Sequence, residues 1–222
     1  MLKSDMRLLE SILDLFFPPK CIFCHKVMDG DDICPKCAEK LPYTKGDGMF
    51  QTVPGVKECI APLYYEDEVR LAILRFKFWG KALYAHRFGL IIAYCLENNL
   101  DCGDINVISW VPLSRKRLRK RGYNQARLLA EHISRKMDIP CAPTLVKTVD
   151  NPAQSGTKSR DDRLKNVKGV YAISENADVK GKSILLVDDV VTTGATLSEC
   201  ARTLKNAGAR YVYCAAIARR RD

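Results

Sequence analysis

Two adjacent carboxylates and a threonine-rich turn near the C-terminus are the residues of this chain best suited to carry chemistry. The carboxylates follow a short apolar run, and a Thr-Thr-Gly-Ala-Thr sequence comes two residues after them. Carboxylate oxygens accept hydrogen bonds from sugar hydroxyls or hold a hydrated Mg²⁺, whereas free N–H groups at a helix N-terminus bind phosphate. The pattern predicts a pocket for a ribose 5-phosphate group, formed by Asp188, Asp189, Thr192, Thr193, Gly194, Ala195 and Thr196.

These residues need a strand before them and a helix after them. Residues 184–187 are Ile-Leu-Leu-Val, a composition typical of a strand that is buried on both faces of a parallel sheet, and we predict that this strand ends at the two carboxylates. A helical pattern then runs to about Asn206, with Gly208 as a stop. The alternative is an ordinary buried strand followed by a helix with a threonine cap.

A strongly basic run forms a second candidate site. Six of the seven residues 115–121 are Lys or Arg, and they follow an apolar run at 105–111 that predicts another buried strand. Ligands of open α/β sheets bind at the carboxyl ends of the strands, so the run predicts counter-charge for pyrophosphate or for a nucleic-acid backbone. A solvated surface is the alternative. The cations are Arg115, Lys116, Arg117, Arg119, Lys120 and Arg121.

Four cysteines near the N-terminus have the spacing of a metal site. Two Cys-x-x-Cys pairs, Cys21 with Cys24 and Cys34 with Cys37, are separated by nine residues. Four thiolates in this arrangement bind Zn²⁺ tetrahedrally, and they leave no open position for catalysis, so we predict a structural zinc ion. His25 is an alternative ligand.

The remaining patterns predict an α/β fold with a small N-terminal domain. We expect domains at 1–45 and 58–222, joined by a Gly- and Pro-containing linker at 46–57. A polar stretch at 144–168 suggests a lid that could close over a substrate. The aromatic cluster Phe76, Phe78 and Trp79 favours packing over base stacking. Further predicted helices cover 8–16, 67–76, 83–98 and 125–137, and further strands cover 59–65, 170–173 and 211–217.

Composition limits the class of protein. The chain has 222 residues, of which 47% are hydrophobic and 28% charged, and these values are ordinary for a globular protein. No apolar run reaches the length of a membrane span, and the acidic N-terminal segment does not resemble a signal peptide, so we expect a cytoplasmic protein without membrane insertion. The net charge of +10 favours polyanionic partners.

The carboxylate and threonine motif resembles the phosphoribosyl-pyrophosphate (PRPP) signature of type I phosphoribosyltransferases. Taken with the four cysteines and the sequence Arg-Gly-Tyr-Asn-Gln-Ala at 121–126, it makes the chain similar to the ComF/GntX family of competence-associated proteins. This resemblance implies a type I phosphoribosyltransferase fold, in which a twisted, mostly parallel sheet is flanked by helices, and an N-terminal zinc domain. It also implies Mg²⁺-PRPP as ligand and a role in the uptake of transforming DNA, with single-stranded DNA and a competence helicase as partners.

The resemblance assigns roles to individual residues. Asp188 and Asp189 would be catalytic and would face the ribose hydroxyls. Lys147 and Val149 stand where relatives often carry arginines. Three functions remain open: a phosphoribosyltransferase, a PRPP- or nucleotide-sensing module that binds single-stranded DNA, and a scaffold that docks a helicase through the zinc domain. Pyrophosphate or lid contacts would come from Ser114, Arg115, Arg121, Asn124, Gln125 and Gln154.

Overall fold

A computed structural model describes residues 19–28, 33–149 and 168–221 of the chain. Its strands are β1 (Cys59–Ile60), β2 (Leu63–Tyr64), β3 (Val107–Trp110), β4 (Leu145–Lys147), β5 (Tyr171–Ile173), β6 (Ser183–Val191) and β7 (Tyr211–Arg219). Its α-helices are α1 (Pro35–Lys40), α2 (Asp67–Phe78), α3 (Tyr84–Asn99), α4 (Arg115–Arg121), α5 (Gln125–Met137) and α6 (Ala195–Asn206), and 3₁₀ turns lie at Gly46–Met49 and Cys102–Asp104.

A five-stranded parallel sheet forms the centre of the structure. The strands lie in the order β1, β7, β6, β3, and β2 also pairs with β7 beyond β1. In the register, Ile108 on β3 lies opposite Leu185 on β6, and Leu185 lies opposite Tyr213 on β7. Because all pairs are parallel, the carboxyl ends of β3, β6 and β7 meet at one edge of the sheet.

The apolar run of β6 contributes to a core on each face of the sheet, as its composition predicts. Leu185 and Val187 belong to the core that α2, α3 and α5 cover, whereas Ile184 and Leu186 belong to the core beneath α6. The alternation follows from the two-residue period of a strand. All four side chains are fully buried.

The four-cysteine segment, which we call the knuckle (residues 20–28 and 33–41), packs into the first of these cores. Phe23 is fully buried, and its ring meets the ring of Phe88 on α3 edge to face, at a centroid distance of 6.0 Å. Arg75 on α2 donates a hydrogen bond to the carbonyl oxygen of Phe23 at 2.8 Å. The knuckle therefore shares its hydrophobic core with the sheet domain.

Residues 46–57 are predicted to be a linker. We call them the strap, because several contacts hold them against the sheet. Val53 is buried, and the backbone N–H of Gln51 donates to the carbonyl oxygen of Cys59 at 2.9 Å. The buried Arg219 at the end of β7 donates to the carbonyl oxygens of Gly48 and Phe50, at 3.1 and 2.6 Å. The strap is thus held against the sheet; the proposed domain boundaries remain a prediction.

Two predicted elements differ from the structure. The single strand expected at 59–65 is divided into β1 and β2, because Pro62 lacks an N–H for the ladder. The lid expected at 144–168 begins with β4, which pairs with β5 in antiparallel register, Leu145 opposite Ile173. Residues 150–167 of that lid, with Gln154, and the helix predicted at 8–16 lie outside the described residues. None of the described helices is both long and apolar enough to cross a membrane.

Candidate functional site

The sheet edge at the carboxyl ends of β3 and β6 brings the two motifs together. The N–H of Val111, just after β3, donates to the carbonyl oxygen of Val187 at 2.9 Å, so the two strands remain paired to this point. The chain then enters the basic helix α4 after β3, and the threonine-rich turn after β6. This edge is where open parallel sheets bind their ligands.

Asp188 and Asp189 lie inside β6, which continues to Val191, so the prediction that the strand ends at the two carboxylates is wrong. β7 is as long as β6 and continues to pair with it, with Asp188 opposite Ala216 and Val190 opposite Ala218. Successive side chains of a strand point to opposite faces. The Asp189 carboxylate accordingly meets α2, whereas the Asp188 carboxylate accepts a hydrogen bond from the N–H of Asp189 at 2.8 Å.

Two cations approach the carboxylates. Lys77, in the last turn of α2, places its ammonium 2.7 Å from Asp189 Oδ1, and the two side chains are only 17% and 13% exposed. Arg121 donates to Gln125 Oε1 at 2.9 Å, and its guanidinium lies over the Phe78 ring at 4.8 Å from the centroid. Its charge lowers the pKa of Asp188, so it belongs to the electrostatics of the site.

The pKa of Asp188 is raised to about 7. Burial is the largest cause, and repulsion from the Asp189 carboxylate adds to it. Lys77, the N–H of Asp189 and Arg121 act in the opposite direction but do not cancel the burial. Asp188 is therefore near the midpoint of its titration at neutral pH, and a ligand that requires the carboxylate must displace a proton.

The threonine-rich turn has the form expected of a phosphate loop. Gly194 takes a φ of +72° and caps α6, and the N–H of Ser198 donates to its carbonyl oxygen at 2.8 Å. A Cβ at position 194 would lie 2.9 Å from Val53 Cγ2, so both the backbone conformation and the strap require glycine here. The first N–H groups of α6 lack helical partners and carry the positive end of the helix dipole. The structure brings all of the predicted residues Thr192, Thr193, Gly194, Ala195 and Thr196 to this junction.

The basic run forms a short helix with two different faces. Ser114 caps α4 by accepting from the N–H of Arg117, and Gly122, with a φ of +81°, ends it. Arg117 and Arg121, one turn apart, are partly buried. The exposed cations are Arg115, Lys116, Arg119 and Lys120.

Asn124 and Gln125 hold the backbone of the site. The Asn124 side chain accepts from the N–H of Arg127 as the cap of α5 and donates to the carbonyl oxygen of Val111 at 3.0 Å. Gln125 is 1% exposed. Its Oε1 accepts the hydrogen bond from Arg121, and its Nε2 donates a weak one, at 3.4 Å, to the carbonyl oxygen of Lys77. Gln125 thus connects α2 and α4, which carry Lys77 and Arg121, and Asn124 connects the start of α5 to the end of β3.

An open cleft of about 580 Å³ lies beside this edge. One wall is the turn from β3 into α4, and the other is β4 with the residue that follows it. Lys147 lines the cleft, and its ammonium lies 5.4 Å from the centroid of the Tyr171 ring. The volume is within the range of small-molecule sites in proteins. The lining residues are Pro112, Leu113, Ser114, Arg115, Leu145, Val146, Lys147 and Thr148.

The predicted zinc ligands converge as their spacing indicates. The Sγ atoms of Cys21, Cys24, Cys34 and Cys37 all lie within 4.8 Å of one another, and those of Cys24 and Cys34 are 3.6 Å apart. Tetrahedral Zn–S bonds of about 2.3 Å place sulfur atoms roughly 3.8 Å apart, so the four thiols fit zinc. His25 points elsewhere and makes a 2.9 Å hydrogen bond with the Tyr84 hydroxyl.

Two residues of the site carried no signal in the sequence. Lys77 is one lysine on an amphipathic helix, and only the fold brings it to Asp189. Gln51 lies in a segment without periodicity, yet its Nε2 donates to the carbonyl oxygen of Thr192 at 2.7 Å. A motif search could not find either residue, because each acts through a contact between distant parts of the chain.

Comparison with known proteins agrees with both halves of the structure. Residues 124–222 match the phosphoribosyl transferase domain, and residues 12–47 match the double zinc ribbon domain. The chain is 29% identical to competence protein F of Haemophilus influenzae, over 90% of each chain. It is 33% identical to the DNA utilization protein YhgH of Escherichia coli K12, over 86% of each chain. Competence protein ComFC of Bacillus subtilis is 33% identical over 65% of this chain and 56% of its own.

Proposed function

The chain belongs to the ComF/GntX family, with a phosphoribosyltransferase fold and an N-terminal four-cysteine zinc ribbon, and from this premise we propose that it binds PRPP. One observation carries the proposal: the N-terminus of α6, with its threonine-rich turn, and the carboxylates of β6 lie at the same sheet edge. The turn supplies N–H and hydroxyl donors for the 5′-phosphate, and the carboxylates accept from the ribose hydroxyls.

The pyrophosphate of PRPP would lie towards the β3 side of this edge. Arg121 and Lys77 already neutralise the carboxylates there, and Arg115, Lys147 and the Ser114 hydroxyl line the adjacent cleft. Carboxylate oxygens are ligands that Mg²⁺ accepts, so Asp188 and Asp189 suit Mg²⁺-PRPP, in which the metal neutralises the pyrophosphate. Fixed cations at a leaving group need no reorganisation during the reaction.

The arrangement supports transfer of the phosphoribosyl group. The bond between C1 of the ribose and the pyrophosphate oxygen breaks, the pyrophosphate leaves with the electron pair, and a nitrogen nucleophile bonds to C1 and loses its proton. Asp188 and Asp189 hold the ribose while the cations stabilise the developing charge. The relatives' names, competence protein and DNA utilization protein, support a role for the chain in competence, and we propose that the transfer serves the uptake of transforming DNA.

Calorimetric titration of PRPP, with and without Mg²⁺, tests the binding. We expect saturable binding to the zinc-loaded wild type, and loss of that binding in the double variant Asp188→Asn and Asp189→Asn. Asp178→Asn, at an exposed aspartate that pairs with Lys182, is the matched control and should bind as wild type does. A folded wild type that fails to bind PRPP would refute the proposal, and release of pyrophosphate in an acceptor screen would establish turnover.

A second candidate is a non-catalytic module that binds single-stranded DNA and works with a competence helicase. The exposed cations of α4 favour it, together with two exposed aromatic rings at the end of α2, one of which, Phe78, lies against the Arg121 guanidinium. Phe78 and Trp79 are 55% and 65% exposed, which corrects the expectation that the aromatic cluster is packed; only Phe76 is buried. Aromatic rings next to cations are the usual surface for unpaired bases.

Salt dependence of oligonucleotide binding tests this candidate. Charge reversal at Arg115 and Arg119 should weaken binding and reduce the salt slope by about one unit for each phosphate that the protein no longer neutralises. Arg121→Glu should act in the same direction but should also disturb the carboxylates. Arg210→Glu, at the opposite edge of the sheet before β7, is the control. Binding that is absent or independent of salt would eliminate the candidate.

A further inference from the structure

The strap contacts the threonine-rich turn at 192–196, which we call the phosphate loop, through the side chains of Gln51 and Val53. Gln51 Nε2 donates to the carbonyl oxygen of Thr192 at 2.7 Å, and Val53 packs against Gly194 two residues further along the loop. These contacts join parts of the chain that are 141 residues apart. Nothing in the sequence motif of the phosphate loop requires such a partner, so the strap adds a component to the site.

The hydrogen bond from Gln51 controls which way a peptide unit of the loop faces. In a trans peptide the carbonyl of one residue and the N–H of the next point in opposite directions. The described residues contain no cis peptide bond. Because the Thr192 carbonyl points to the strap, the N–H of Thr193 points away from it. We propose that Gln51 is a positioning residue that presents the Thr193 N–H to the 5′-phosphate.

The strap is rigid enough to act in this way. Arg219 holds it through the carbonyl oxygens of Gly48 and Phe50, on the N-terminal side of Gln51. The N–H of Gln51 itself donates to the carbonyl oxygen of Cys59, and the N–H of Ala61 donates to the carbonyl oxygen of Met49 at 2.9 Å. Because the backbone is already fixed, only the rotamer entropy of the Gln51 side chain is lost when its amide holds the carbonyl, so the amide can act as a template.

The amide of Gln51 has one functional orientation. Only Nε2 can donate, and a flipped amide would place Oε1 against the Thr192 carbonyl, acceptor against acceptor. Within the described part of the chain, Oε1 is buried without a hydrogen-bond partner. Burial of an unpaired oxygen costs free energy, and the chain tolerates that cost at a residue whose other end holds the phosphate loop.

The inference rests on the proposed function, and its test separates the two. Ribose 5-phosphate and, separately, Mg²⁺-pyrophosphate are titrated into the full-length zinc-loaded protein. Gln51→Glu keeps the size but removes the donor, and Gln51→Ala removes the whole amide. We expect about tenfold weaker binding of ribose 5-phosphate to both variants and unchanged binding of pyrophosphate.

Asn106→Ala is the matched control. Asn106 makes the same kind of contact at the other end of β6, where its Oδ1 accepts from the N–H of Ser183 at 2.8 Å. This variant should lose comparable stability but should bind ribose 5-phosphate as wild type does. Equal affinities in wild type and both Gln51 variants would overturn the inference and leave the proposed function intact.

A readout without ligand keeps the inference testable if wild type binds neither ribose 5-phosphate nor PRPP. In that event the proposed function fails, and amide hydrogen exchange of residues 192–198 still reports on the loop. The N–H of Ala195 donates to Thr193 Oγ1, and the N–H of Ser198 donates to the carbonyl oxygen of Gly194. Faster exchange of these two N–H groups in Gln51→Ala than in wild type or Asn106→Ala supports the positioning role. Identical exchange in all three proteins refutes it.

Discussion

The knuckle and the carboxylate pair of β6 both crowd acidic groups together, but they balance the charge by different means. The four thiols lie within 4.8 Å of one another, and four thiolates at that range repel one another strongly unless a cation lies between them. The carboxylates have Lys77 and Arg121 from elsewhere in the fold. The knuckle therefore depends on a metal ion from solution, whereas the chain itself supplies the cations at the sheet edge.

Removal of zinc should have the largest effect. Structural zinc contributes roughly 10–16 kcal/mol in small zinc modules, more than most domains have in total stability. Because the knuckle shares a core with α2 and α3, we expect chelation or Cys34→Ser to loosen the sheet domain as well as the knuckle. Near-ultraviolet circular dichroism and gel filtration measure this. Cys102→Ser, outside the cluster, is the control; a Cys34→Ser protein with the wild-type near-ultraviolet spectrum and elution volume would contradict the dependence of the knuckle on a metal ion.

Lys77→Met should have the next largest effect. It leaves the Asp189 carboxylate 13% exposed without its nearest cation, and we expect a loss of roughly 2 kcal/mol in the free energy of unfolding. Adding Asp189→Asn should restore most of this stability, because the unpaired charge is then removed. Lys182→Met breaks an exposed pair with Asp178 and should cost less than about 0.5 kcal/mol in urea unfolding. Equal losses of unfolding free energy in Lys77→Met and Lys182→Met would contradict the view that Lys77 neutralises the Asp189 carboxylate.

Asp188→Asn should stabilise the protein in a pH-dependent way. The pKa of Asp188 in the folded protein, about 7, exceeds its ordinary value of 3.8, so the folded state binds the extra proton between these values. Stability from this group is full below pH 3.8 and is lost as pH rises towards 7. The variant should therefore be more stable than wild type at about pH 8 and nearly equal to it at about pH 4. Thermal unfolding at both pH values measures it; an equal gain at both would show that Asp188 does not titrate near neutrality.

Tyr84→Phe should have the smallest effect and tests how the knuckle is attached. It removes the hydroxyl that bonds His25 but keeps the ring that packs edge to face on Phe88. We expect a loss of about 1 kcal/mol, the usual net value of a hydrogen bond, with zinc content unchanged. Tyr94→Phe, which alters an exposed ring, is the control in the same melting experiment. A loss of zinc would mean that this contact supports the metal site itself.

The sequence predicted those parts of the molecule that depend on neighbouring residues. The cysteine spacing, the apolar run of β6 and the start of α6 are local patterns, and the structure confirms them. The predicted end of β6 was wrong, because it depends on the length of β7 rather than on the polarity of Asp188. Lys77 and Gln51 were missed, since tertiary contacts alone give them a role. The assignment of ligand contacts to individual residues remains a prediction.

The shared core also affects how this chain could be inherited. A domain with its own core can be moved between genes, lost or duplicated without harm to its neighbour. Here Cys21, Phe23 and Cys37 bury side chains of α2 and α3, so a gene that lost the knuckle would encode a sheet domain with an open apolar face. The two parts match separate domain families but share one core, and we expect a chain that recombination leaves without its knuckle to aggregate.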